Sequence, residues 1–333
     1  ALDAAKLTPP SEIKLKERKD WKLLGKPQKR VDMRAKVTGA PIFGVDVMLP
    51  DMLFGTVKMN PNLTGRMKKF DAAEALKIPG VVKIFEINCQ SGHGVGVIAK
   101  NTWAAFKAAD AVNVEWEKAS YLPSSAEMFT SLKDALKPGA GTSLRTLGDV
   151  DTAFADAPAD RIVEAEYQVP FLAHATMEPM NATAQFKDGK LTVWSPNQGP
   201  TPTRYICASL TGLDQDDVTI HTTMMGGAFG RRGEMDFSAY AALVAMQSDG
   251  KPVKVTWTRE EDMTHDLYRP ASSAKFMAVL GTDGLPVALD GGGPPRERRD
   301  RQPRVAPPLS GPSVLPGSRG HGPLSFLHCL AQE

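Results

Sequence analysis

The 333-residue chain is 42% apolar and 23% charged, an ordinary globular balance that excludes wholesale disorder and leaves room for two domains. A formal net charge of +2 points to no nucleic-acid or membrane-surface partner, and no apolar run approaches the roughly 18 residues of a membrane span. Three scattered cysteines, Cys89, Cys207 and Cys329, form no CxxC pair, which excludes a four-thiolate zinc or iron–sulfur site within the chain.

Residues 1–30 are Lys-rich and weakly periodic, and read as a linker or arm; no targeting signal is visible at Ala1-Leu2-Asp3. From 31 to 117 the pattern is a compact α+β one. Strands are predicted over 42–47 and 53–59, around the turn Leu49-Pro50-Asp51. Asp71-Ala72-Ala73-Glu74 has capping-box spacing and predicts a short helix that Pro79-Gly80 ends. Strands follow over 81–87 and 95–99. Asn101 is placed to cap a helix over 102–109, and Val112, Val114 and Trp116 alternate in a further strand. These local signals predict that 31–117 folds as an independent unit.

The stretch 118–148, with a helix predicted over 126–136, reads as a linker. A second domain is expected over 149–290. It holds a helical turn at 151–155, a strand at 162–169, and a hairpin of 184–186 with 191–194 around Asp188-Gly189. A helix over 202–210, a strand over 218–222 and a helix over 237–246 follow, the last with Phe237, Tyr240 and Val244 on one face. Val253, Val255 and Trp257 alternate in a strand, Thr258 is placed to cap a helix, and 276–280 pairs with 286–289. Composition then breaks at Gly291: all 23 lysines precede it, and 8 of the 26 prolines follow it. The tail 291–333, with its cluster Arg296, Arg298, Arg299, Arg301 and Arg304, is expected to be either disordered or out-of-frame translation. The second reading is favoured because the hairpin ending at Asp290 otherwise lacks a sheet to join.

Four motifs could carry chemistry. Gly226-Gly227-Ala228-Phe229-Gly230-Arg231-Arg232 lies between a strand and a helix, where glycines allow close approach and free amides suit an anion. It is neither a dinucleotide fingerprint nor a Walker loop. Trp194-Ser195-Pro196-Asn197-Gln198-Gly199-Pro200 places a donor–acceptor amide in a tight loop. His174 and Glu178 stand four apart in His174-Ala175-Thr176-Met177-Glu178-Pro179, but Pro179 argues against the helix a metal pair would need. His265-Asp266-Leu267-Tyr268-Arg269-Pro270 reads as a polar loop. No nucleophile system is evident.

The combination is more specific than its members. Thr38-Gly39-Ala40, Leu49-Pro50-Asp51-Met52-Leu53, Val169-Pro170-Phe171-Leu172-Ala173-His174, the WSPNQ loop, GGAFGRR and HDLYRPA occur in that order. In this order the chain resembles the large subunit of a molybdenum hydroxylase of the xanthine oxidoreductase and aldehyde oxidase class, on the isoquinoline 1-oxidoreductase branch. The resemblance runs from about 31 to 290. It implies an α+β fold: an α/β hammerhead domain over 31–117, then the first part of a molybdopterin-binding α/β domain over 149–290. It implies an oxidoreductase that hydroxylates an electron-poor carbon of an N-heteroaromatic or aldehyde with oxygen from water. The cofactor would be molybdenum–molybdopterin in its cytosine dinucleotide form, and electrons would pass to a small partner subunit with two 2Fe–2S clusters.

Carried over by motif, Gln198 would hydrogen-bond an oxo ligand of the metal. Gly227, Ala228, Phe229 and Gly230 would give backbone contacts to metal and pterin, so Gln198 and this loop are expected side by side. Arg231 and Arg232 would anchor the cofactor's phosphates, whereas His174 and Glu178 would support packing. Gly233 stands where purine-acting relatives carry a carboxylate, with Glu234 one place later, which points away from a purine. The family's general-base glutamate lies in a Gly-x-Gly-Glu context, and no glutamate here does; no catalytic residue is therefore assigned, and the chain alone is expected to turn over no substrate. The competing expectation is a catalytically inactive truncated fragment or a non-enzymatic assembly module.

Overall fold

The computed structural model describes residues 6–8, 12–62, 65–89, 92–118, 124–136 and 147–292. It forms two compact units, Ala1–Pro41 and Ile42–Glu333. In the first, a short helix α1 (Met33–Val37) is preceded by Asp32, whose carboxylate pairs with Arg30 and Lys36 at 3.0 and 2.6 Å. None of the described residues of this unit is buried, so it contributes ion pairs on its surface but no core.

The second unit contains β1 (Leu53–Met59), β2 (Met67–Asp71), β3 (Val81–Cys89), β4 (Gly92–Ala99), α2 (Thr102–Ala111), β5 (Asn113–Trp116), α3 (Ser125–Asp134) and α4 (Val150–Ala155). It continues with β6 (Ile162–Val169), β7 (Asn181–Lys187), β8 (Lys190–Ser195), α5 (Pro200–Thr211), β9 (Val218–Thr222) and α6 (Asp236–Ala245). Then come β10 (Val253–Thr256), α7 (Arg259–Thr264), β11 (Ser272–Leu280) and β12 (Pro286–Gly292). Seven strands form one mixed sheet in the order β3-β4-β1-β10-β7-β8-β9. Within it β1 with β10 and β8 with β9 are parallel, and the other neighbours are antiparallel. Smaller sheets pair β2 with β5 and order β12-β11-β6.

Both faces of the large sheet are covered. Along β4 the period of two sends Val95, Val97 and Ala99 into one core with Ala104, Ala105 and Ala108 of α2, and Ile98 into the other. Asn101 Oδ1 accepts from the Ala104 amide at 2.8 Å and starts α2 where the sequence places it. The second core surrounds α6, nine of whose ten residues are buried, against the expectation of a single apolar face. The alanine-rich stretch Ala239–Ala245 is slim enough to sit against sheet and α5 together, so the whole circumference is covered. Tyr240 fills that core edge-on to Trp257, and its hydroxyl donates to the Gly92 carbonyl at 2.6 Å.

Three expectations are corrected. Residues 42–47 form no strand. Gly44–Asp46 is a 3-10 turn, closed by Asp46 Oδ2 accepting from the Phe43 amide, and only Phe43 bridges, to Met224. The 71–74 capping box opens no α-helix: Asp71 Oδ1 accepts two residues on, from Ala73, and the chain makes a 3-10 turn at Ala75–Lys77. The β11–β12 hairpin does have a sheet to join, because β6, far earlier in the chain, pairs with residues 272–279 of β11.

Segments 31–117 and 149–290, expected as separate domains, meet in the large sheet through the β1–β10 pair. The helix expected over 126–136 is α3, while 119–123, 137–146 and the tail 293–333 lie outside the described residues.

Candidate cofactor site

The sheet topology assembles the four motifs. Parallel β8 and β9 are joined by α5, so the loops that follow them leave from the same edge of the sheet, the edge where α/β ligands bind. Antiparallel β7 begins at that edge, and β10, antiparallel to β7, ends there. The WSPNQ loop, the Gly-rich loop, the segment before β7 and the segment after β10 therefore converge.

The contacts bear this out. The Thr223 amide donates to the Ser195 carbonyl at 3.2 Å, and the Gln198 amide donates to the Arg232 carbonyl at 2.8 Å. Gln198 is exposed, and its side-chain amide makes no hydrogen bond among the described residues. In the Gly-rich loop, Gly227, Phe229 and Gly230 take left-handed φ values of 99°, 54° and 98°. A left-handed Phe costs about 1–3 kcal/mol and marks a loop held by its surroundings. Here the hold comes from the Arg231 and Gly233 amides, which donate to Ala228 and Gly230 carbonyls at 2.9 Å each. The amides of Gly227, Ala228, Phe229 and Gly230 find no acceptor among the described residues. Four successive amides without an acceptor, three of them on left-handed residues, are the kind of donor set that backbone anion sites use.

Beneath the loop lies a buried carboxylate. Glu178 Oε1 accepts from the amide of Val45 and from Asn181 Nδ2, each at 3.0 Å. Its Oε2 accepts from the Gly226 amide at 2.7 Å and from Arg232 Nη2 at 3.1 Å. Only glycine fits at 226, because a Cβ there would stand 2.5 Å from Glu178 Cβ. With both oxygens occupied, Glu178 supports the loop, and among the described residues no three His, Cys, Asp or Glu side chains group as metal ligands.

The two arginines correct an expectation. Arg231 is 1% exposed and Arg232 is 0% exposed, so neither is presented to an external phosphate. Arg231 donates twice to Asp236 at 2.8 Å, and its Nε lies 2.6 Å from Asp266 Oδ1 in an ion pair whose N–H points elsewhere. Burial works against the Arg231 charge, but Asp236 and Asp266 outweigh it and hold its pKa above the usual value. Arg232 Nε donates to the Gly227 carbonyl at 2.8 Å and Nη2 to the Glu178 carbonyl at 2.7 Å; here burial prevails and lowers its pKa. The double arginine is internal bracing for the loop.

Sequence reading missed Asp236 and Asp266 as the partners of Arg231, and Arg259, whose Nη2 holds the Thr176 and Met177 carbonyls at 2.7 and 3.0 Å. The available signal was the placement of two adjacent arginines before an apolar helix, since charges buried there require carboxylates nearby. Glu234, one place beyond the motif, is half-buried, and burial raises its pKa.

Comparison with known proteins places the chain by family and fold. A model described as molybdopterin cofactor-binding domain matches residues 136–291. The chain is 31% identical over 289 residues to the isoquinoline 1-oxidoreductase subunit beta of Brevundimonas diminuta, covering 83% of this chain and 36% of that protein. It is 30% identical over 287 residues to a membrane-bound aldehyde dehydrogenase (pyrroloquinoline-quinone) of Gluconacetobacter polyoxogenes, covering 84% and 37%. The crystallised aldehyde oxidoreductase of Desulfovibrio gigas superposes with a TM-score of 0.65 at 24% identity, over 79% of this chain and 33% of that one, and shows a shared fold. The chain thus spans little more than a third of the length of the curated relatives it matches. Its mixed α+β fold, its cofactor-binding domain and these relatives together show that the chain belongs to the molybdenum hydroxylase large subunits, as a part of one.

Proposed function

We propose that this chain holds molybdenum–molybdopterin at the carboxyl edge of β8 and β9. The observation that carries this reading is the run of four unpaired amides, Gly227 to Gly230, beside the uncommitted side chain of Gln198. The residues fit such a group. The amides offer donors in a loop that its surroundings hold, Gly227 and Gly230 add no side chain of their own, and Gln198 offers donor and acceptor to a metal oxo ligand. When bound, the group supplies hydroxylation of an electron-poor carbon with oxygen from water, together with uptake of the electron pair released. The chain's own part is to bind, to orient, and through the buried Glu178–Arg232 and Asp236–Arg231–Asp266 pairs to keep the loop rigid.

The substrate class is an N-heteroaromatic or an aldehyde, the cofactor form the cytosine dinucleotide, and the electron acceptor a small subunit with two 2Fe–2S clusters. Residues 31–117 correspond to the hammerhead part of such subunits. A second reading, in which the chain by itself assembles but does not catalyse, is favoured by the lack of any glutamate in a Gly-x-Gly-Glu context. Elemental analysis of the chain co-expressed with its small subunit tests the first reading. Molybdenum in stoichiometric amount is expected, and its loss in Gly227→Val, where the left-handed φ of 99° forbids a branched side chain, ties it to the loop. Metal-free protein would refute the reading. Dye reduction with isoquinoline, quinoline and aromatic aldehydes then separates catalysis from assembly.

A further inference from the structure

Both ring nitrogens of the described interior histidines lie within 3.0 Å of a polar partner, with one exception. His265, 3% exposed, meets the Asn60 carbonyl through Nε2 at 2.8 Å and Glu261 through Nδ1 at 2.9 Å. His93 accepts from the Met67 amide at Nδ1 and meets Glu86 at Nε2. His174 uses one side only. Its Nδ1 lies 2.9 Å from Asp266 Oδ2, and its backbone N–H donates to the same oxygen. Its Nε2 has no partner among the described residues, is not enclosed by protein, and lies 4.0 Å from the point where a Gly230 side chain would begin.

The committed side of this ring is rigid. Asp266, 5% exposed, is fixed by Arg231, and Arg231 by Asp236, so three buried charges stand behind one imidazole. A carboxylate on Nδ1 fixes the orientation of a histidine and favours a proton on that nitrogen, leaving the other nitrogen to its ligand. A ring braced in this way, with its free nitrogen 4.0 Å from where a Gly230 Cβ would stand, has the form of a binding group rather than of core filling.

We propose that His174 Nε2 and the amides of Gly227–Gly230 form one binding rim for an oxyanionic group, with Asp266 as the residue that positions the ring. This rests on the cofactor reading of the loop and adds to it a side-chain contact. In the complex Nδ1 faces Asp266, and Nε2 makes its hydrogen bond to the ligand oxygen. Placing a ring carbon or nothing at that point removes one charge-assisted bond, a change of roughly tenfold in affinity at the usual strength of such bonds.

The experiment uses the full chain without cofactor, labelled with ¹⁵N, titrated with inorganic phosphate against chloride at equal ionic strength. The His174 Nε2 resonance and the Gly230 amide are expected to shift together and saturate with one Kd. His174→Ala, which keeps the backbone N–H on Asp266 and leaves the Asp266–Arg231 pair in place, should weaken phosphate at the Gly230 amide about tenfold with unchanged circular dichroism. Asp266→Asn should alter the tautomer signature of the ring before any phosphate is added, which a purely structural aspartate would not do. Movement of the loop amides with a silent imidazole, or with a second Kd for it, would overturn the His174 assignment and leave the loop reading standing. If neither responds, both fall.

Discussion

At the scale of single residues, Glu178 accepts four hydrogen bonds, from Val45, from Asn181 three residues on, and from Gly226 and Arg232 of the Gly-rich loop. Its removal leaves a buried guanidinium without its carboxylate and two backbone amides without acceptors. Glu178→Ala is therefore expected to lower stability by about 3–5 kcal/mol, the range for breaking a buried pair, read as the shift in urea unfolding. Substitution of an exposed carboxylate such as Glu74 should change little by comparison. His265 gives a pH dependence of known sign. Burial pushes its pKa down, but the Glu261 carboxylate and the Asn60 carbonyl push harder, and the folded value lies above the ordinary 6.5. The folded state thus holds the proton to higher pH than the unfolded chain. That contribution is complete below the unfolded value and disappears as pH rises through the folded one. The stability difference between the wild type and His265→Gln should accordingly shrink on going from about pH 5.5 to about pH 9. A difference that grows with pH would contradict the pairing.

At the scale of elements, β1, β6 and β9 occupy the spans that the sequence predicts, because each is a short run rich in β-branched residues and aromatics that a turn bounds. Residues 42–47 carry the same apolar alternation, but the Asp46 side chain competes for the backbone and wins, a local hydrogen bond against a ladder. The Gly-rich loop invites a paired test. A Cβ at Gly226 would collide with Glu178 Cβ at 2.5 Å, whereas one at Gly233 meets nothing within 4 Å. Gly226→Ala should cost about 1–3 kcal/mol, as overpacking does, and loosen the loop. Gly233→Ala should stay within about 0.5 kcal/mol of wild type. Thermal unfolding of the two variants side by side decides it, and equal costs would show that the Glu178–Gly226 contact carries no weight.

At the scale of the molecule, the large sheet unites early and late segments. β1 lies between β4 and β10, and the Met59 amide has Glu261 of α7 within 3.3 Å. A fragment of residues 31–117 would keep β3, β4 and α2 but leave β1 as an unpaired sheet edge over the half-open core around Ile98 and Met59. Such a fragment is expected to show no cooperative urea transition by circular dichroism, while the full chain shows one. A sharp transition in the fragment would restore the independent unit that the local sequence signals predict. Those signals are real, but they describe elements. Whether a sheet ends is decided by its partners, and β10 lies too far along the chain for any local pattern to announce it.

What the sequence by itself determined is the ordered set of motifs, and with it the family, the cofactor and most of the elements, because periodicity, caps and glycine turns are local properties. It also singled out Gln198 and Gly227–Gly230 as candidates, since a polar amide and a glycine-rich turn advertise themselves. Only the tertiary structure decided what the charged residues do. Arg231 and Arg232 look like anion anchors in one dimension, yet they are braces in three, because Asp236, Asp266 and Glu178 reach them first. Likewise His174 looks like loop support until its one uncommitted nitrogen is seen beside Gly230. Backbone propensity is written in neighbouring residues, whereas the fate of a charge depends on which opposite charge the fold carries to it from elsewhere.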